Sequence, residues 1–189
     1  ALERKFWRER EKELVNKLHI QATTDQLTGI YNRRVIFEAL DEAMENSKKS
    51  KDRQFATIMF DIDFFKQVND NYGHAGGDAV LISFAQLLQT EISSPNIVGR
   101  IGGEEFLAIL YLSPDEAIEF CTKLIKKINN NVVSFEGKDI KISSSGGVAF
   151  STETETSADL TNKADERLYE AKKNGRNRFK LIDSELIGD

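Results

Sequence analysis

The sequence Gly102-Gly103-Glu104-Glu105-Phe106 lies between two apolar runs, at residues 96–101 and 106–112. Both runs are short and rich in β-branched and aromatic residues, which predicts two strands. Two glycines between two strands predict a tight hairpin, because glycine adopts a positive φ at little cost. Adjacent carboxylates repel each other, so Glu104 and Glu105 indicate a cation site or a chemical role, with a solvated acidic turn as the alternative.

A second pair of acids follows a third apolar run. Residues 55–60 are apolar almost throughout, which is typical of a strand covered on both faces. The run leads directly into Asp61 and Asp63. Acids at the end of a central strand lie where α/β proteins build their sites. A strand that simply leaves the core for solvent would explain one aspartate better than two.

Cations accompany these acids at Lys66, Lys172 and Arg176. Carboxylates suit Mg²⁺, which binds through one or two of them together with substrate phosphates, while Lys and Arg share the phosphate charge. The sequence contains no P-loop, no zinc-ligand spacing and no convincing Ser/His/Asp arrangement. His74 has no Cys or His partner at ligand spacing, so a structural hydrogen bond is favoured over a metal. The residues alone therefore predict Mg²⁺-dependent nucleotidyl or phosphoryl chemistry.

Composition limits the class of protein. The 189 residues suffice for one domain and an appendage, and the formal charge of −5 argues against binding to a nucleic acid polymer. Cys121 is the single cysteine, which favours a reducing, cytoplasmic compartment. We find no membrane-spanning run or signal peptide, so we expect no membrane contact by this fragment. The chain begins at Ala1 without methionine, and we expect a missing N-terminal sensor domain, which could anchor the full-length protein in a membrane.

The helices are predicted from caps and apolar stripes. Residues 1–22 form a charged helix whose heptad seam is incomplete, which leaves a solvated linker and a dimer stalk both open. Asn32 caps a helix that runs to about Ala43, and residues 46–53 form a polar loop. The sequence Ser113-Pro114-Asp115-Glu116 is a capping box with proline at N1.

The remaining boundaries are predicted from glycines and apolar runs. Residues 64–74 form a short amphipathic turn ended by Gly73, and a separate helix opens at Gly76-Gly77-Asp78, where Asp78 could serve as the cap. Strands are predicted at 132–135, at 140–145 continuing into 146–150, and at 179–182 as a final edge strand. The last helix ends at Gly175.

The motifs together resemble a known family. The chain resembles the GGDEF domain of diguanylate cyclases, with glutamate in the third position of the motif. The resemblance covers residues 23–181 and rests on five motifs in order. They are Asp25-Gln26-Leu27-Thr28-Gly29-Ile30-Tyr31-Asn32-Arg33-Arg34, Phe60-Asp61-Ile62-Asp63-Phe64-Phe65-Lys66 with Asn69-Asp70 and Tyr72-Gly73-His74, Gly77-Asp78, Arg100-Ile101-Gly102-Gly103-Glu104-Glu105-Phe106, and Ala164-Asp165 through Leu168-Tyr169-Glu170-Ala171-Lys172 with Gly175-Arg176-Asn177.

The resemblance implies a palm-like α/β (α+β) sandwich similar to class III nucleotide cyclases. Its central mixed or antiparallel sheet would have about five strands wrapped by helices, with an N-terminal helical stalk. Residues 1–22 would be a signalling or linker helix, 23–183 the catalytic domain and 184–189 a tail. Such domains condense two GTP into cyclic di-GMP and release two pyrophosphates. One domain binds one GTP, which implies a homodimer with antiparallel active sites and favours a dimerising stalk.

Roles for individual residues also follow from the resemblance. Asp61, Glu104 and the main-chain carbonyl of Ile62 would bind metal, with two Mg²⁺ or Mn²⁺ ions per active site. Glu105 would either bind the second metal or activate the ribose 3′-hydroxyl. Asn69 and Asp78 would bind the guanine edge. The phosphates would lie against the amides of Phe64 and Phe65 and the side chains of Lys66, Lys172 and Arg176.

The sequence departs from the family at the inhibitory product site, R-x-x-D. The aligned residues are Ser93-Ser94-Pro95-Asn96, so Ser93 and Asn96 replace both charged anchors. We expect feedback inhibition through this site to be lost or weakened. Three other functions stay open: a degenerate domain that only binds nucleotide, a cyclase for a mixed or adenine-containing dinucleotide, and a coiled-coil adaptor. Asp78 argues against adenine, because a carboxylate there matches the donors of guanine.

Overall fold

The computed structural model describes residues 2–182 and 186–188. These residues form five α-helices, a short 3₁₀-helix at Lys51–Arg53 and eight strands. The α-helices are α1 Leu2–Thr23, α2 Arg33–Lys49, α3 Phe65–Glu91, α4 Pro114–Asn130 and α5 Ser157–Lys173. The strands are β1 Ala56–Ile62, β2 Ile97–Arg100, β3 Glu105–Leu110, β4 Val132–Phe135, β5 Lys138–Lys141, β6 Ser144–Phe150, β7 Arg178–Lys180 and β8 Leu186–Gly188.

A mixed sheet of six strands forms the centre of the fold, in the order β2-β3-β1-β6-β7-β8. β1 pairs antiparallel with β3 and β6, whereas β6 and β7 are parallel. The predicted mixed sheet wrapped by helices is therefore confirmed, with six strands where about five were expected. β4 and β5 form a separate two-stranded sheet.

β1 is buried along its whole length because helices cover both faces of the sheet. Its even-numbered residues, such as Phe60, pack in the core that includes Phe84 and Leu88 of α3. Met59 faces the opposite way and packs in a second core with residues of α2 and α5. Alternation along the strand therefore directs every second side chain toward α5.

Several boundaries differ from the sequence predictions. α2 continues to Lys49, so the loop predicted at 46–53 is wrong over its first half. Its buried stripe extends to Met44, and Lys48 and Lys49 lie in the last turn, where cations interact favourably with the helix dipole. The caps at Asn32 and Ser113 are confirmed, since each side chain accepts a hydrogen bond from the backbone of its helix.

The break predicted at Gly73 is confirmed, because α3 consists of two helical parts that meet in a kink at that residue. Gly73 has φ 71° and ψ 173°, values that are not helical and that glycine adopts easily. Asp78 lies inside α3 and does not cap it, which makes the cap interpretation wrong.

The predicted strand over 140–150 is also wrong, because it divides into β5 and β6. β5 pairs with β4, whereas β6 begins at Ser144 and pairs with β1. β7 is not an edge strand, because β8 pairs with its free side. β8 lies in the segment predicted as a tail, and Asp189 and residues 184–185 of that segment lie outside the described residues. In the part of the chain that the structure describes, no helix is long and apolar enough to cross a membrane.

Candidate active site

Three acidic residues lie close together where β1 ends and β3 begins. Asp61 and Glu105 are directly paired across the two strands. The amide of Ile62 donates a hydrogen bond of 3.2 Å to the carbonyl oxygen of Glu104. Glu104 and Glu105 are half-buried, and Asp61 is only 7% exposed. Strand pairing therefore brings together the acids of two motifs that lie more than forty residues apart in the sequence.

Lys172 of α5 lies against this acidic cluster. Its Nζ is 2.8 Å from Oδ2 of Asp61. Burial raises the pKa of the Asp61 carboxyl above its ordinary value of 3.8, and the ion pair with Lys172 opposes the rise. The negative charges of Glu104 and Glu105 raise the pKa further. The acids thus concentrate negative charge in one place, and the side chain of Lys172 compensates part of it.

The donor set fits a hard divalent cation in its chemistry, since carboxylate oxygens are the ligands that Mg²⁺ and Mn²⁺ prefer. The repulsion of Asp61 by Glu104 and Glu105 indicates a place where a cation would relieve unfavourable charge. Within residues 2–182 and 186–188, no three acidic, His or Cys side chains are already gathered in a metal-binding arrangement. Asp61 is instead engaged by Lys172.

The turn between β2 and β3 is held by Arg100. Its guanidinium donates to the carbonyl oxygens of Gly102, at 3.1 Å, and Gly103, at 2.8 Å. Nη1 of Arg100 also lies 3.1 Å from Oδ1 of Asp25, an acid at the start of the domain. Burial alone would raise the pKa of Asp25, but hydrogen bonds from Thr28 and the ion pair with Arg100 lower it. A largely buried ion pair therefore fixes the acidic turn to residues that directly follow α1.

The predicted reason for the two glycines of the turn does not hold. Neither Gly102 nor Gly103 has a positive φ, so the conformational argument is wrong. A Cβ on Gly102 would lie 2.5 Å from Oε2 of Glu105, the far end of a flexible side chain that can move aside. A Cβ on Gly103 would meet no atom within 4 Å. Nothing in the described chain therefore requires glycine at Gly103.

Asp63 has a role different from that of Asp61. It is 4% exposed, and its carboxylate accepts hydrogen bonds of 2.7 Å from the hydroxyls of Ser143 and Ser145. The amide of Asn177 donates a third, of 2.9 Å. Because these donors use both oxygens, Asp63 is a structural acceptor. The two aspartates at the end of β1 do not act as a pair.

The predicted phosphate contacts gather at the beginning of α3. Phe64 is the N-cap residue, and its backbone is left-handed, with φ 56°. Its side chain makes no capping hydrogen bond, so the first turn of α3 presents amides together with the positive end of the helix dipole. The guanidinium carbon of Arg176 lies 4.7 Å from the centre of the Phe64 ring. Phe65 is buried in the first turn of α3, and Lys66 beside it is exposed.

The predicted guanine-binding residues lie on either side of the kink in α3. Asn69 is half-buried and Asp78 is exposed. A Cβ on Gly77 would lie 2.0 Å from Oδ1 of Asn69, so the two halves of the helix approach closely at this glycine. The side chain of Asn69 therefore lies beside the backbone that directly precedes Asp78.

The substituted inhibitory site is a plain turn. The amide of Asn96 donates to the carbonyl oxygen of Ser93 at 3.0 Å, and Oδ1 of Asn96 accepts from the amide of Tyr111 at 2.8 Å. The side chain of Asn96 thus links the residue before β2 to the residue after β3. Neither Ser93 nor Asn96 supplies a charge.

Four motif residues have structural roles that could not be predicted from the sequence. They are Asp25, Asp63, Arg100 and Asn177. Each acts through a contact with a segment that is distant in the sequence. Asp25 and Arg100, for example, are 75 residues apart. In the sequence, the only indication of these structural roles was that the residues belong to a motif.

Known proteins similar to this chain are diguanylate cyclases. Diguanylate cyclase A of Treponema denticola is 34% identical over 168 residues, which are 87% of this chain and 45% of the relative. The diguanylate cyclase DgcS of Shewanella oneidensis is 34% identical over 90% of this chain and 56% of its own. The chain thus spans about half the length of these curated relatives.

Two solved structures resemble the whole of the described fold. One contains the coiled coil and GGDEF domain of DgcB from Caulobacter crescentus in complex with c-di-GMP. It is 25% identical, covers 96% of both chains and has a TM-score of 0.86. The other is diguanylate cyclase SiaD in complex with its activator SiaC from Pseudomonas aeruginosa, at 31% identity and a TM-score of 0.82, covering 94% of this chain and 68% of SiaD.

The family model described as diguanylate cyclase, GGDEF domain, matches residues 22–178. Members of this family are generally dependent on divalent metals. Residues 22–178 include the acidic turn, both ends of β1, and the cations of α5. The chain belongs to the GGDEF family of diguanylate cyclase domains.

Proposed function

We propose that this domain condenses two molecules of GTP into cyclic di-GMP and two pyrophosphates. The observation that carries the proposal is the convergence of Asp61, Glu104 and Glu105 beside the ammonium group of Lys172. In a degenerate domain that only binds nucleotide, the acidic turn would usually be broken. Here all its acids are present, and Arg100 holds the turn in place.

Asp61, the main-chain carbonyl of Ile62, Glu104 and Glu105 would hold the metal, for which Mg²⁺ or Mn²⁺ is suited, with two ions per site. When bound, the metal would lower the pKa of the ribose 3′-hydroxyl and neutralise charge on the departing pyrophosphate. Glu105 would either bind the second metal or accept the hydroxyl proton. Asp61 would exchange its ion pair with Lys172 for a metal bond, which frees Lys172 for phosphate.

The chain's cations and amides would orient the triphosphate. The amides of Phe64 and Phe65 at the start of α3 offer neutral donors, and Lys66 lies exposed beside them. Lys172 and Arg176 would bind the terminal phosphates, which become the leaving group. The 3′-oxygen of one GTP then attacks the α-phosphorus of the other, a P–O bond forms, and pyrophosphate departs with the electrons of the broken bond. The proton of the hydroxyl leaves toward Glu105 or water, and a second identical step closes the ring.

Asn69 and Asp78 would select guanine. A carboxylate accepts hydrogen bonds from the N1–H and N2–H₂ groups of guanine, whereas adenine presents no such pair of donors. The approach of Asn69 to Gly77 supports this assignment, because Gly77 is the chain neighbour of Asp78.

Two domains must face each other with antiparallel active sites, because each binds one GTP. Open space around Gly103 is consistent with close approach of the partner's nucleotide. α1 supports the dimer, since its described side chains from Arg4 to Ala22 are exposed. These include Trp7 at 65%, Leu14 at 58% and Leu18 at 56%. We infer that α1 pairs with α1 of a second copy and sets the distance between the two sites.

The inhibitory product site would be ineffective, because Ser93 and Asn96 lack the charges that would hold a phosphodiester. Initial rates measured with increasing cyclic di-GMP test this point. Rates should stay nearly constant, whereas strong non-competitive inhibition at low micromolar product would contradict it.

The experiment that tests the function is incubation of the chain with GTP and Mg²⁺, followed by mass spectrometry of the products. Glu105→Gln is the matched control, because it preserves size and removes the charge. Cyclic di-GMP from the wild type and none from Glu105→Gln is the expected result. Turnover by Glu105→Gln within a few-fold of wild type would contradict the role of Glu105.

A further inference from the structure

Two segments of the chain meet at three successive contacts around the candidate site. The first segment, residues 61–64, spans the end of β1, and the second, residues 172–177, spans the end of α5. Asp61 contacts Lys172 at 2.8 Å, and Phe64 lies under the guanidinium of Arg176 at 4.7 Å. Between these two contacts, Asp63 accepts the amide hydrogen of Asn177 at 2.9 Å. Asp63, which supplies the carboxylate of this middle contact, is 4% exposed.

The second segment has a backbone that needs outside support. Gly175, Arg176 and Asn177 follow one another with φ of 113°, 60° and 50°. Residues other than glycine rarely adopt such values. Hydrogen bonds from the amides of Gly175 and Arg176 to carbonyls of α5 hold the beginning of this turn. Oδ1 of Asn177 is buried without a hydrogen-bond partner among the described residues, so that oxygen does not anchor the turn.

Asp63 supplies a tertiary anchor for this turn. Its carboxylate is itself fixed by the hydroxyls of Ser143 and Ser145, each at 2.7 Å, at the start of β6. The amide of Asp63 also donates to the carbonyl oxygen of Ser143 at 2.9 Å. A carboxylate held by two hydroxyls, on a backbone that is also hydrogen-bonded, can fix an amide in one position, because its orientation is no longer free.

We propose that Asp63 is a positioning residue that fixes the 172–177 segment, and with it Arg176, for binding the triphosphate of GTP. It acts through Asn177 and touches neither metal nor nucleotide. Since the role requires GTP to bind, the inference rests on the proposed function. Asp63 would therefore affect nucleotide affinity through Arg176. A residue that contributed only to stability would leave this affinity unchanged.

The test is a double-mutant cycle on nucleotide affinity. Calorimetric titration with α,β-methylene GTP and Mg²⁺ is performed on wild type, Asp63→Asn, Arg176→Ala and the double variant. Asp63→Asn keeps the size but removes the charge, so the hydrogen bond accepted from the Asn177 N–H is no longer charge-assisted. We expect each single variant to weaken binding roughly ten-fold, the size of one hydrogen bond to a charged group. The double variant should bind about as weakly as Arg176→Ala alone, because Asp63 acts through that residue.

Two further variants keep the test decisive. Ser143→Ala removes a donor from the same oxygen that holds Asn177, and should weaken binding less, with the same dependence on Arg176. It replaces Asp63→Asn in the cycle if that variant fails to fold. Thr57→Val is the matched control, because it removes a buried hydrogen bond of 2.9 Å from the same strand, far from the site. It should lower thermal stability and leave nucleotide affinity unchanged.

The outcomes separate the inference from the proposed function. Consider first that wild type binds the analogue and that Arg176→Ala weakens this binding. The positioning role is then wrong if Asp63→Asn leaves the affinity unchanged, or if its full effect on affinity adds to that of Arg176→Ala in the double variant. If wild type does not bind the analogue at all, the proposed function fails, and the role of Asp63 fails with it.

Discussion

Gly147→Ala should separate α5 from the sheet and displace Lys172 from the acidic cluster. Gly147 lies in β6, where α5 packs directly on the strand. A Cβ at this position would lie 1.9 Å from the carbonyl oxygen of Ala164 and 2.4 Å from the amide nitrogen of Leu168. Both atoms belong to the helix backbone, so no side-chain rotation can relieve the clash.

The size of the effect follows from the distances. Ordinary contact begins at 3.4 Å, so helix and strand must separate by about 1.5 Å. The move would loosen Leu160, Ala164 and Leu168, which are at most 3% exposed. Overpacking of this kind costs about 3 kcal/mol when the neighbours cannot rotate away. For a domain of this size that is a fall in Tm of roughly 6–12 °C.

Thermal and denaturant unfolding followed by circular dichroism measure this loss. Gly103→Ala is the matched control, because its Cβ would meet no atom within 4 Å and its φ is not positive. It should change the free energy of unfolding by less than about 0.5 kcal/mol. Stability of Gly147→Ala within that margin of wild type would refute the close packing of α5 on β6.

Three further predictions concern the site itself. Arg100→Lys should lower turnover of GTP about ten-fold, because an ammonium group cannot bind the glycine carbonyls and Asp25 together. A steady-state rate equal to that of wild type would show that Arg100 is not needed to hold the turn. Asp78→Ser should relax the choice of base, and unchanged discrimination between GTP and ATP in competition assays would show that Asp78 does not select guanine. The pKa of Asp61 is raised in the folded state, so protonation of this carboxyl favours the native state. The stability that protonation contributes is present below the unfolded pKa and is lost as the pH rises through the folded pKa. The rise in Tm caused by Mg²⁺ should be smaller at about pH 5 than at about pH 7.5, because at the lower pH protons compete with the metal for Asp61. An equal rise in Tm at both pH values, or a rise that survives in Asp61→Asn, would contradict metal binding at Asp61.

Local features of the sequence predicted much of the fold. The apolar runs before and after Gly102 became β2 and β3, and the run at 55–60 became most of β1, because each is bounded by turn or polar residues. The capping box at Ser113 fixed the start of α4. In these cases the residues that decide the structure are neighbours in the chain.

Long-range pairing decided what the sequence could not predict. The sequence at 140–150 was predicted as one continuous strand, yet its two halves pair with β4 and β1 in different sheets. β8 was missed because its pairing with β7 is not encoded in its own three residues. The end of α2 was misplaced because its last turn is polar and only Met44 marks its buried side.

The candidate site divides in the same way. Motif residues such as Asp61, Glu104 and Glu105 could be named from the sequence, and strand pairing brings their segments together. The support of the site could not be named, because Asp63 and Asn177 are 114 residues apart and meet only in the folded chain. Gly102 and Gly103 were noticed for their backbone freedom, but neither has a positive φ in the folded chain.

The stoichiometry of the reaction with GTP tests the central claim most directly. Cyclic di-GMP and pyrophosphate are quantified by mass spectrometry and a pyrophosphate assay at several concentrations of the wild-type chain with Mg²⁺. Two GTP should be consumed for each cyclic di-GMP formed and each pair of pyrophosphates released, with specific activity rising as the protein concentration rises. Absence of cyclic di-GMP at every protein concentration, with GTP unchanged, would contradict the assignment of this domain as a diguanylate cyclase.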